Sequence, residues 1–542
     1  MPVRLEPPPP ARVAEVVESS PGNGLWTLRL RVEGPGLPAL DLDGREVRGC
    51  VRSDQVVTCA FVGLGEGDHL LAERRAGGLR LWGRSGEWDW RDSILYLVIP
   101  DRFRDGDSSN NGGAEWDPAK AGHRHGGDLA GLRQGLPHLL ELGVNVVWTT
   151  PVVEQVPAPV EHEGFSHHGF HGYWPEHHDR VDPHLGTAAA LSETVKEFEA
   201  AGIRTIMDVV VNHFGYGAAA TSDGALVREC PSDGDERTKC LFGLPDLRTE
   251  DPAVAARVTA WSLRWPSEHG VHGLRLDAAK HVDQSLLRAI AEQGRAARKD
   301  LLVLGEVWGA DASSDAHDAY LDEAKLDGLF DFGFGDHALA FVTGRERPEA
   351  LAHHLEKRHR RPSAVWAHFL DTHDTPTFLY RVGRPELQRL AATLQFTVLG
   401  APVIYYGDEV GRAGGEWPYN RPSMPPESLW DRGTFEHYSR LCALRRRHVA
   451  LSRGAHRTLH ASGDVIAFLR WWEEPGGGIG DAVLVAVNRG DTPVEISFPL
   501  PPELTRSAPL RDAPGSAGPV RLGARVILTV PPLGARILAS SG

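Results

Sequence analysis

Eight short apolar runs recur between residues 94 and 406, and stretches of helical periodicity separate them. Continuous apolar runs of this length are typical of parallel strands that are buried on both faces. Strands that alternate with helices predict an α/β fold, here a (β/α)8 TIM barrel. The predicted barrel strands span residues 94–99, 144–148, 205–211, 273–277, 301–304, 328–334, 365–370 and 402–406.

The segment between the third and fourth runs is too long for a single connecting helix. Residues 214–250 are rich in glycine, aspartate and serine and show no helical period. We therefore predict a short insertion after the third barrel strand, at about 214–250. Loops that follow barrel strands lie at the end of the barrel where active sites form.

The two ends of the chain have a different pattern. Residues 26–33 alternate strictly between apolar and polar side chains, which indicates a half-buried antiparallel strand. Runs at 465–472, 482–487, 494–498 and 526–530 are separated by turns rich in proline and glycine. We predict an N-terminal β-sandwich at 1–88, a catalytic barrel at 89–455 and a C-terminal β-sandwich at 456–542.

Charge and composition narrow the range of partners. The formal net charge of −15 argues against nucleic acid as a partner. There is no apolar stretch of about 18 residues, so no membrane-spanning helix is predicted. The first residues lack the apolar core of a secretory signal, which predicts a cytoplasmic protein if the chain is complete and a secreted one if a signal was removed. The oligomeric state cannot be predicted.

The five cysteines are too few for a disulfide scaffold, and no Cys-x-x-Cys metal spacing occurs. We expect reduced thiols. As the alternative, Cys50 with Cys59, or Cys230 with Cys240, would each close a short loop.

Polar side chains appear where the apolar runs stop, and in a barrel such positions carry the chemistry. Asp277 and Glu306 end or follow the fourth and fifth runs. Glycoside hydrolysis needs one ionised carboxylate and one protonated carboxyl group. Arg275 shares a strand face with Asp277 and would keep it charged, which favours Asp277 as nucleophile. Glu306 adjoins apolar residues that suit a protonated acid, and Asp374 is the third carboxylate.

The same blocks contain two histidines, and their carboxylates have a second possible role. His213 and His373 close two of the blocks and can donate hydrogen bonds to sugar hydroxyls. The alternative interpretation is that each carboxylate only caps a following helix. Because four blocks occur in order along the chain, we prefer the catalytic interpretation.

A dense group of oxygen donors follows the first predicted strand. Calcium prefers six to eight oxygen ligands, which such a loop can supply. The same residue types also favour ordinary turns, so the loop alone leaves both interpretations open. The candidate ligands are Asp105, Asp107, Asn110, Asn111, Gly126 and Asp128.

The four blocks resemble the sequence regions of the α-amylase family of glycoside hydrolases, in order, spacing and identity. The blocks begin at Asp208, Gly273, Gly305 and Phe369, and segments 171–174 and 405–409 add to the resemblance. It implies Asp277 as nucleophile, Glu306 as general acid/base and Asp374 as transition-state stabiliser. The implied substrate ligands are Arg275, His213, His373, Tyr173, Trp174, His171, Lys280 and His281.

The resemblance also has implications for metal, sequence departures and function. It implies calcium at the 105–128 loop and a second ion at Asn212, Asp246 and the carbonyl of His281. Thr372 replaces the asparagine that the family usually has before its His-Asp pair.

We predict a retaining hydrolase of internal α-1,4 bonds in starch-like glucans or maltooligosaccharides. The alternatives are a cyclodextrin or maltooligosaccharide hydrolase, a transglycosylase, and a catalytically inactive glucan-binding protein.

Overall fold

The computed structural model describes residues 88–540 except 114, 163, 223, 232, 311–313, 474–476, 508 and 514–519. Before residue 88 it describes eight strands and a few residues between them. These strands form two four-stranded antiparallel sheets, ordered β1-β2-β6-β5 and β4-β3-β7-β8. They are β1 (Arg12–Gly22), β2 (Leu25–Glu33), β3 (Leu40–Leu42), β4 (Arg45–Glu46), β5 (Val51–Ser53), β6 (Val56–Val62), β7 (Asp68–Glu73) and β8 (Leu81–Arg84).

Eight of the next ten strands form a closed parallel barrel, which confirms the predicted (β/α)8 fold. All of them except the hairpin β11–β12 belong to the barrel. They are β9 (Leu95–Val98), β10 (Val146–Thr149), β11 (Val160–His162), β12 (Phe165–His167), β13 (Arg204–Val210), β14 (Gly273–Asp277), β15 (Leu302–Gly305), β16 (Gly328–Asp331), β17 (Val365–Phe369) and β18 (Ala401–Tyr405).

The barrel strands are buried along almost their whole length because side chains fill the barrel on one face and helices cover the other. The helices are α1 (Pro100–Phe103), α2 (Leu129–Gln134), α3 (Leu136–Leu142), α4 (Ala188–Ala200), α5 (Pro252–His269), α6 (Gln284–Ala297), α7 (Phe332–Val342), α8 (Pro348–Arg358), α9 (Phe378–Val382), α10 (Pro385–Thr397), α11 (Arg432–Arg447) and α12 (Val449–Ser452). In the described residues, no helix is both long and apolar enough to cross a membrane.

One predicted strand is too long. The run 328–334 was expected to be a strand throughout, but β16 ends at Asp331 and α7 begins at Phe332. The carboxylate of Asp331 accepts a hydrogen bond from the backbone N–H of Phe334 and so caps the new helix. A continuous apolar run cannot distinguish a buried strand from the start of a buried helix.

The C-terminal strands form two packed sheets, as predicted. The larger has the order β19-β20-β21-β26-β23 and the smaller β22-β25-β24. One face of β20 and β21 packs on the smaller sheet and the other on the barrel, which explains their unbroken apolar runs. The strands are β19 (Ala455–Ser462), β20 (Val465–Glu473), β21 (Ile479–Asn488), β22 (Val494–Pro499), β23 (Leu510–Asp512), β24 (Val520–Leu522), β25 (Arg525–Val530) and β26 (Gly534–Ser540).

The expectation of reduced thiols is wrong for four of the five cysteines. Disulfides join Cys50 to Cys59 and Cys230 to Cys240, while Cys442 is a buried free thiol. The second disulfide closes a loop within the predicted insertion. Apart from two short 3-10 turns, at Ala219–Ser222 and Leu241–Gly243, the described part of that insertion is irregular.

Candidate active site

One buried arginine at the centre of the barrel contacts three carboxyl groups. Arg275 Nη1 donates to both oxygens of Asp208 at 2.9 Å and to Oδ1 of Asp277 at 2.6 Å. Its Nη2 lies 2.9 Å from Oε1 of Glu306. Because two nitrogens of one guanidinium hold Asp277 and Glu306, the predicted nucleophile and acid/base lie side by side.

The register of two neighbouring strands produces this arrangement. Asp208 on β13 is the direct register partner of Arg275 on β14, and Asp277 follows two residues later on the same face. The guanidinium carbon lies 5.6 to 5.9 Å from the ring centres of Trp148, Tyr173 and Phe330, and aromatic faces attract cations.

Burial dominates the electrostatics of this cluster. It raises the pKa of Asp277 well above the usual value, and the carboxylates of Glu306 and Asp208 add to the rise, whereas Arg275 opposes it. Burial likewise raises the pKa of Asp208 to about 6. The sequence suggested that Arg275 keeps Asp277 charged. In the structure one cation faces three carboxyl groups, so the cluster can retain a proton.

Glu306 lies just past the end of β15 and has two further hydrogen bonds. Its Oε2 accepts from the backbone N–H of Ala278 at 2.9 Å, and its Oε1 from the indole N–H of Trp308 at 3.1 Å. Ala278 has a φ of 50°, a conformation that residues with a side chain disfavour and that here directs its N–H towards Glu306. The hydrogen bonds to Glu306 therefore come from Ala278 and Trp308, and neither bond caps a helix.

Asp374 is the most exposed of the predicted catalytic carboxylates. Its side chain is 34% exposed, whereas those of Asp277 and Glu306 are 12% and 10% exposed. Arg421 donates to its Oδ1 at 3.1 Å, and His373 Nε2 lies 3.3 Å from its Oδ2. Asp374 is thus positioned by Arg421 from the loop after β18 as well as by His373 from its own loop, which follows β17.

Tyr173 forms an aromatic surface beside the carboxyl cluster. Its ring stacks on His373 at 5.1 Å with an angle of 9° between the planes, and its hydroxyl donates to Asp208 at 2.8 Å. His171 accepts a hydrogen bond from the backbone N–H of Tyr173 and stacks near its ring. Burial lowers the pKa of His171 and of His373 well below the usual value, so both rings are neutral.

Two predicted substrate ligands lie behind this surface. His213 is buried, and its Nε2 lies 3.1 Å from the carbonyl oxygen of Tyr173, so it fixes the backbone of the tyrosine. Trp174 packs edge-on against His171, and its backbone N–H donates to Gln155. In the structure these two residues support Tyr173 and its neighbour His171.

Lys280 and His281 lie in the short turn after β14, where they meet the insertion. Lys280 Nζ is 3.4 Å from the carboxylate of Glu236, and His281 Nδ1 is 2.7 Å from the Glu236 carbonyl oxygen. Glu236 belongs to the loop closed by Cys230 and Cys240. Both Lys280 and His281 are therefore linked to the insertion through Glu236.

The first predicted calcium loop is partly occupied by ordinary capping bonds. Asp128 caps α2 and accepts four N–H donors, and Asp107 caps the short 3-10 turn Ser108–Asn110. However, the buried amide oxygens of Asn110 and Asn111 have no hydrogen-bond partner among the described residues. A side chain at Gly126 would collide with the Asn111 amide, 2.6 Å from its oxygen. Asn111 Nδ2 donates to Asp105 at 2.7 Å, so the two amide oxygens are the donors of this loop that remain available to a cation.

The second predicted calcium set comes together but does not fit a cation as arranged. The amide nitrogen of Asn212 donates to Asp246 at 2.6 Å and to the His281 carbonyl at 3.0 Å. Arg228 forms an ion pair with the other oxygen of Asp246. Positive or donor groups thus occupy the space that a cation would need. In the described part of the chain, no three His, Cys, Asp or Glu side chains form a metal cluster.

Several residues of the site were not predicted. Asp208 carried a signal, because a charged residue in the middle of a buried strand is rare unless it is paired. Arg421, Asn420 and Glu236 carried none, since each reaches the site through an irregular loop. Asn420 Nδ2 donates to the carbonyl of His373 at 2.7 Å and so joins the loops after β17 and β18.

Comparison with known proteins agrees with this geometry. The profile described as "Alpha amylase, catalytic domain" matches residues 97–227 and 237–433. This chain belongs to the α-amylase family. It is therefore a glycoside hydrolase of the α-amylase type, and the family predicted from the sequence is confirmed.

Three similar proteins illustrate the range of the family. The chain is 31% identical to neopullulanase 2 of Thermoactinomyces vulgaris over 75% of this chain and 70% of that protein. It is 30% identical to a cyclomaltodextrinase of Geobacillus thermopakistaniensis over 76% and 71%. A solved α-amylase structure from Anoxybacillus has a TM-score of 0.74 at 28% identity, covering 84% of this chain and all of that one.

Proposed function

We propose that this enzyme hydrolyses α-1,4-glucosidic bonds with retention of configuration, through a covalent intermediate on Asp277. The observation that supports this most strongly is the contact of one guanidinium, that of Arg275, with both Asp277 and Glu306. Retention needs two carboxyl groups roughly 5–5.5 Å apart, and binding to the same guanidinium keeps these two groups close together.

The first chemical step breaks the glycosidic bond. An Asp277 carboxylate oxygen attacks the anomeric carbon while the carboxyl of Glu306 gives its proton to the leaving oxygen. Arg275 supplies positive charge next to Asp277, which favours the ionised form of Asp277 and leaves the proton of the cluster on Glu306. The ring of Tyr173 stacks on the sugar that is being cleaved, and Asp374 accepts hydrogen bonds from its hydroxyls.

The second step releases the sugar. Glu306, now ionised, accepts a proton from a water molecule, whose oxygen attacks the anomeric carbon and displaces Asp277. Trp308 and the Ala278 N–H donate to Glu306 and stabilise its ionised form between the two steps. The inactive alternative is disfavoured because all three carboxyl groups are present and positioned.

We assign starch-like glucans and maltooligosaccharides as substrates, with cleavage at internal bonds. The short insertion after β13 and the exposure of Trp308 and Asp374 favour an open cleft that admits a polymer from the side. A second candidate, hydrolysis of cyclodextrins and short maltooligosaccharides, is favoured by relatives named cyclomaltodextrinase and neopullulanase. Transglycosylation on the same intermediate is the third.

Calcium is part of the proposal at one site only. Asn110 and Asn111 would hold the ion through their amide oxygens, and it would brace the loop between α1 and α2. The ion would contribute stability and not take part in bond cleavage.

The deciding experiment is product analysis of the purified enzyme on starch, cyclodextrins, pullulan and maltotriose. A rapid fall in the chain length of starch, with a mixture of oligosaccharides as first products, supports internal cleavage. A clear preference for cyclodextrins over starch contradicts it and supports the second candidate. Products longer than the supplied oligosaccharide would indicate transglycosylation.

A further inference from the structure

Four partly exposed aromatic residues form a patch at the carboxyl end of the barrel, outside the catalytic cluster. Trp417 and Tyr419 lie in the loop after β18, Tyr380 lies on α9 after β17, and Phe165 begins β12 after β10. Their exposed fractions are 38%, 56%, 51% and 37%. Large aromatic groups exposed together usually mark a binding surface. We refer to these four residues as the aromatic patch.

Phe165 and Tyr419 contact each other directly, whereas Trp417 and Tyr380 adjoin them through His167 and Gly415. The ring centres of Phe165 and Tyr419 are 6.0 Å apart in an edge-on arrangement, and Trp417 stacks on His167 at 4.4 Å. A methyl group at Gly415 would lie 3.6 Å from the ring of Tyr380 and 3.9 Å from Cβ of Tyr419. The glycine therefore leaves the space between the two tyrosines open.

The patch adjoins the catalytic residues. Tyr419 precedes Asn420 and Arg421, whose side chains hold the His373 carbonyl at 2.7 Å and Asp374 at 3.1 Å. His167, under Trp417, leads within four residues to His171, which supports Tyr173. A chain bound at Tyr173 and Asp374 would therefore extend directly onto the patch.

The order of the barrel strands gives the direction of that extension. In the closed barrel β18 lies four positions from β14 in either direction, so the two are diametrically opposite. Lys280 and His281 follow β14, whereas Trp417, Tyr419 and Tyr380 follow β18 and its neighbour β17; Phe165 follows β10, which lies midway between β14 and β18. If Lys280 and His281 bind the leaving-group side, the patch lies on the side of the sugar that becomes attached to Asp277.

We propose that the aromatic patch binds the second and later glucosyl units on the non-leaving side of the cleaved bond, and that it sets the preferred chain length. The C–H faces of glucose are apolar and pack on aromatic rings, while its hydroxyls stay in water. The inference rests on the proposed function, because it assumes an α-glucan as substrate.

The test compares Tyr419→Ala with Leu429→Ala, which removes a 72% exposed apolar side chain from the same segment outside the patch. End-labelled maltoheptaose gives the cleavage pattern, and a nitrophenyl α-glucoside, with a single sugar on the non-leaving side, is too short to reach the patch. Tyr419→Ala should lower kcat/KM for maltoheptaose by roughly five- to ten-fold, the size of one aromatic contact. It should also shift cleavage towards bonds with fewer sugars on the non-leaving side. Leu429→Ala should change neither quantity.

A binding measurement keeps this test independent of turnover. In an Asp277→Asn background, calorimetry with maltoheptaose should give a Kd roughly five- to ten-fold higher when Tyr419→Ala is added. If Tyr419→Ala lowers the Tm, Trp417→Ala is used in its place. Tyr419→Phe keeps the aromatic ring and should retain the wild-type cleavage pattern. The proposal is overturned by equal losses on both substrates, or by an unchanged Kd. A change in oligomeric state with an unaltered cleavage pattern also overturns it, because the patch would then bind a second copy of the chain.

Discussion

At the scale of single residues, the central feature is Arg275 with its three carboxyl neighbours. One positive charge cannot balance three ionised groups in a buried site, so the cluster favours the presence of a proton. A glycosidase that retains configuration needs this state, with one acid ready to donate and one carboxylate ready to attack. The arginine therefore positions the two reacting groups and favours their ionised forms, whereas burial and the mutual repulsion of the carboxylates favour retention of a proton.

The first residue-scale prediction concerns the nucleophile. Asp277→Asn should lower kcat by at least about a thousand-fold, because an amide cannot form the covalent ester. Its oxygen can still accept from Arg275, so the Tm should stay within a few degrees. The matched control is Asp315→Asn, since the Asp315 side chain is 92% exposed. Activity above about a tenth of wild type in Asp277→Asn would exclude Asp277 as the nucleophile.

The second residue-scale prediction concerns a buried acid away from the site. Burial raises the pKa of Asp408 well above its usual value, and the neighbouring Asp371 raises it further. The folded protein thus holds a proton that the unfolded chain loses near its ordinary pKa. The stability contribution is full below that unfolded pKa and is lost as the pH rises through the folded pKa.

Asp408→Asn tests this linkage, because the amide resembles the protonated acid at every pH. Relative to wild type, the variant should gain roughly 1–3 kcal/mol in free energy of unfolding between about pH 4 and about pH 8. Urea unfolding across that range measures the difference. If the free energies of unfolding of the two proteins changed with pH in parallel, Asp408 would be ionised in the folded state.

At the scale of elements, the barrel strands could be predicted because both of their faces are buried. Strands such as β9 and β18 are short apolar runs between turns, a pattern that the chain displays directly. The boundary at Asp331 could not be predicted, since an apolar run continues from β16 into α7 and only the capping bond separates them. Asp277, Glu306 and Asp374 were identifiable because strand ends are fixed by the fold.

Loop residues were not predictable in this way. Arg421 reaches Asp374 across 47 residues of sequence, and Glu236 reaches His281 across 45. Both contacts depend on the path of an irregular segment, which no periodicity records. The pairing of Cys230 with Cys240 was left as an alternative for the same reason, because spacing alone does not show whether two thiols meet.

The element-scale prediction concerns the contact between the insertion and the segment after β14. Lys280→Ala should lower kcat/KM on soluble starch roughly three- to ten-fold, and less on maltotriose, because remote contacts act only when the substrate reaches them. Lys299→Ala is the control, since Lys299 is exposed and precedes β15 at the other end of the barrel. An equal loss on both substrates would remove Lys280 from the leaving-group side.

At the scale of the whole molecule, the proposed calcium ion would contribute to stability rather than to bond cleavage. A cation that binds only the folded chain stabilises it by mass action. Excess chelator should therefore lower the Tm by several degrees, and Asn111→Ala should abolish that dependence on metal. An unchanged melting curve, with no bound metal by elemental analysis, would remove calcium from the account.

The central claim, retention through Asp277 and Glu306, is tested most directly by the configuration of the first product. Proton NMR should follow the anomeric signals during the first minutes of maltoheptaose hydrolysis, before mutarotation equilibrates them. The α-anomer should form first, because two successive displacements at the anomeric carbon restore the original configuration. Initial formation of the β-anomer would contradict a covalent intermediate and the roles assigned to both carboxyl groups.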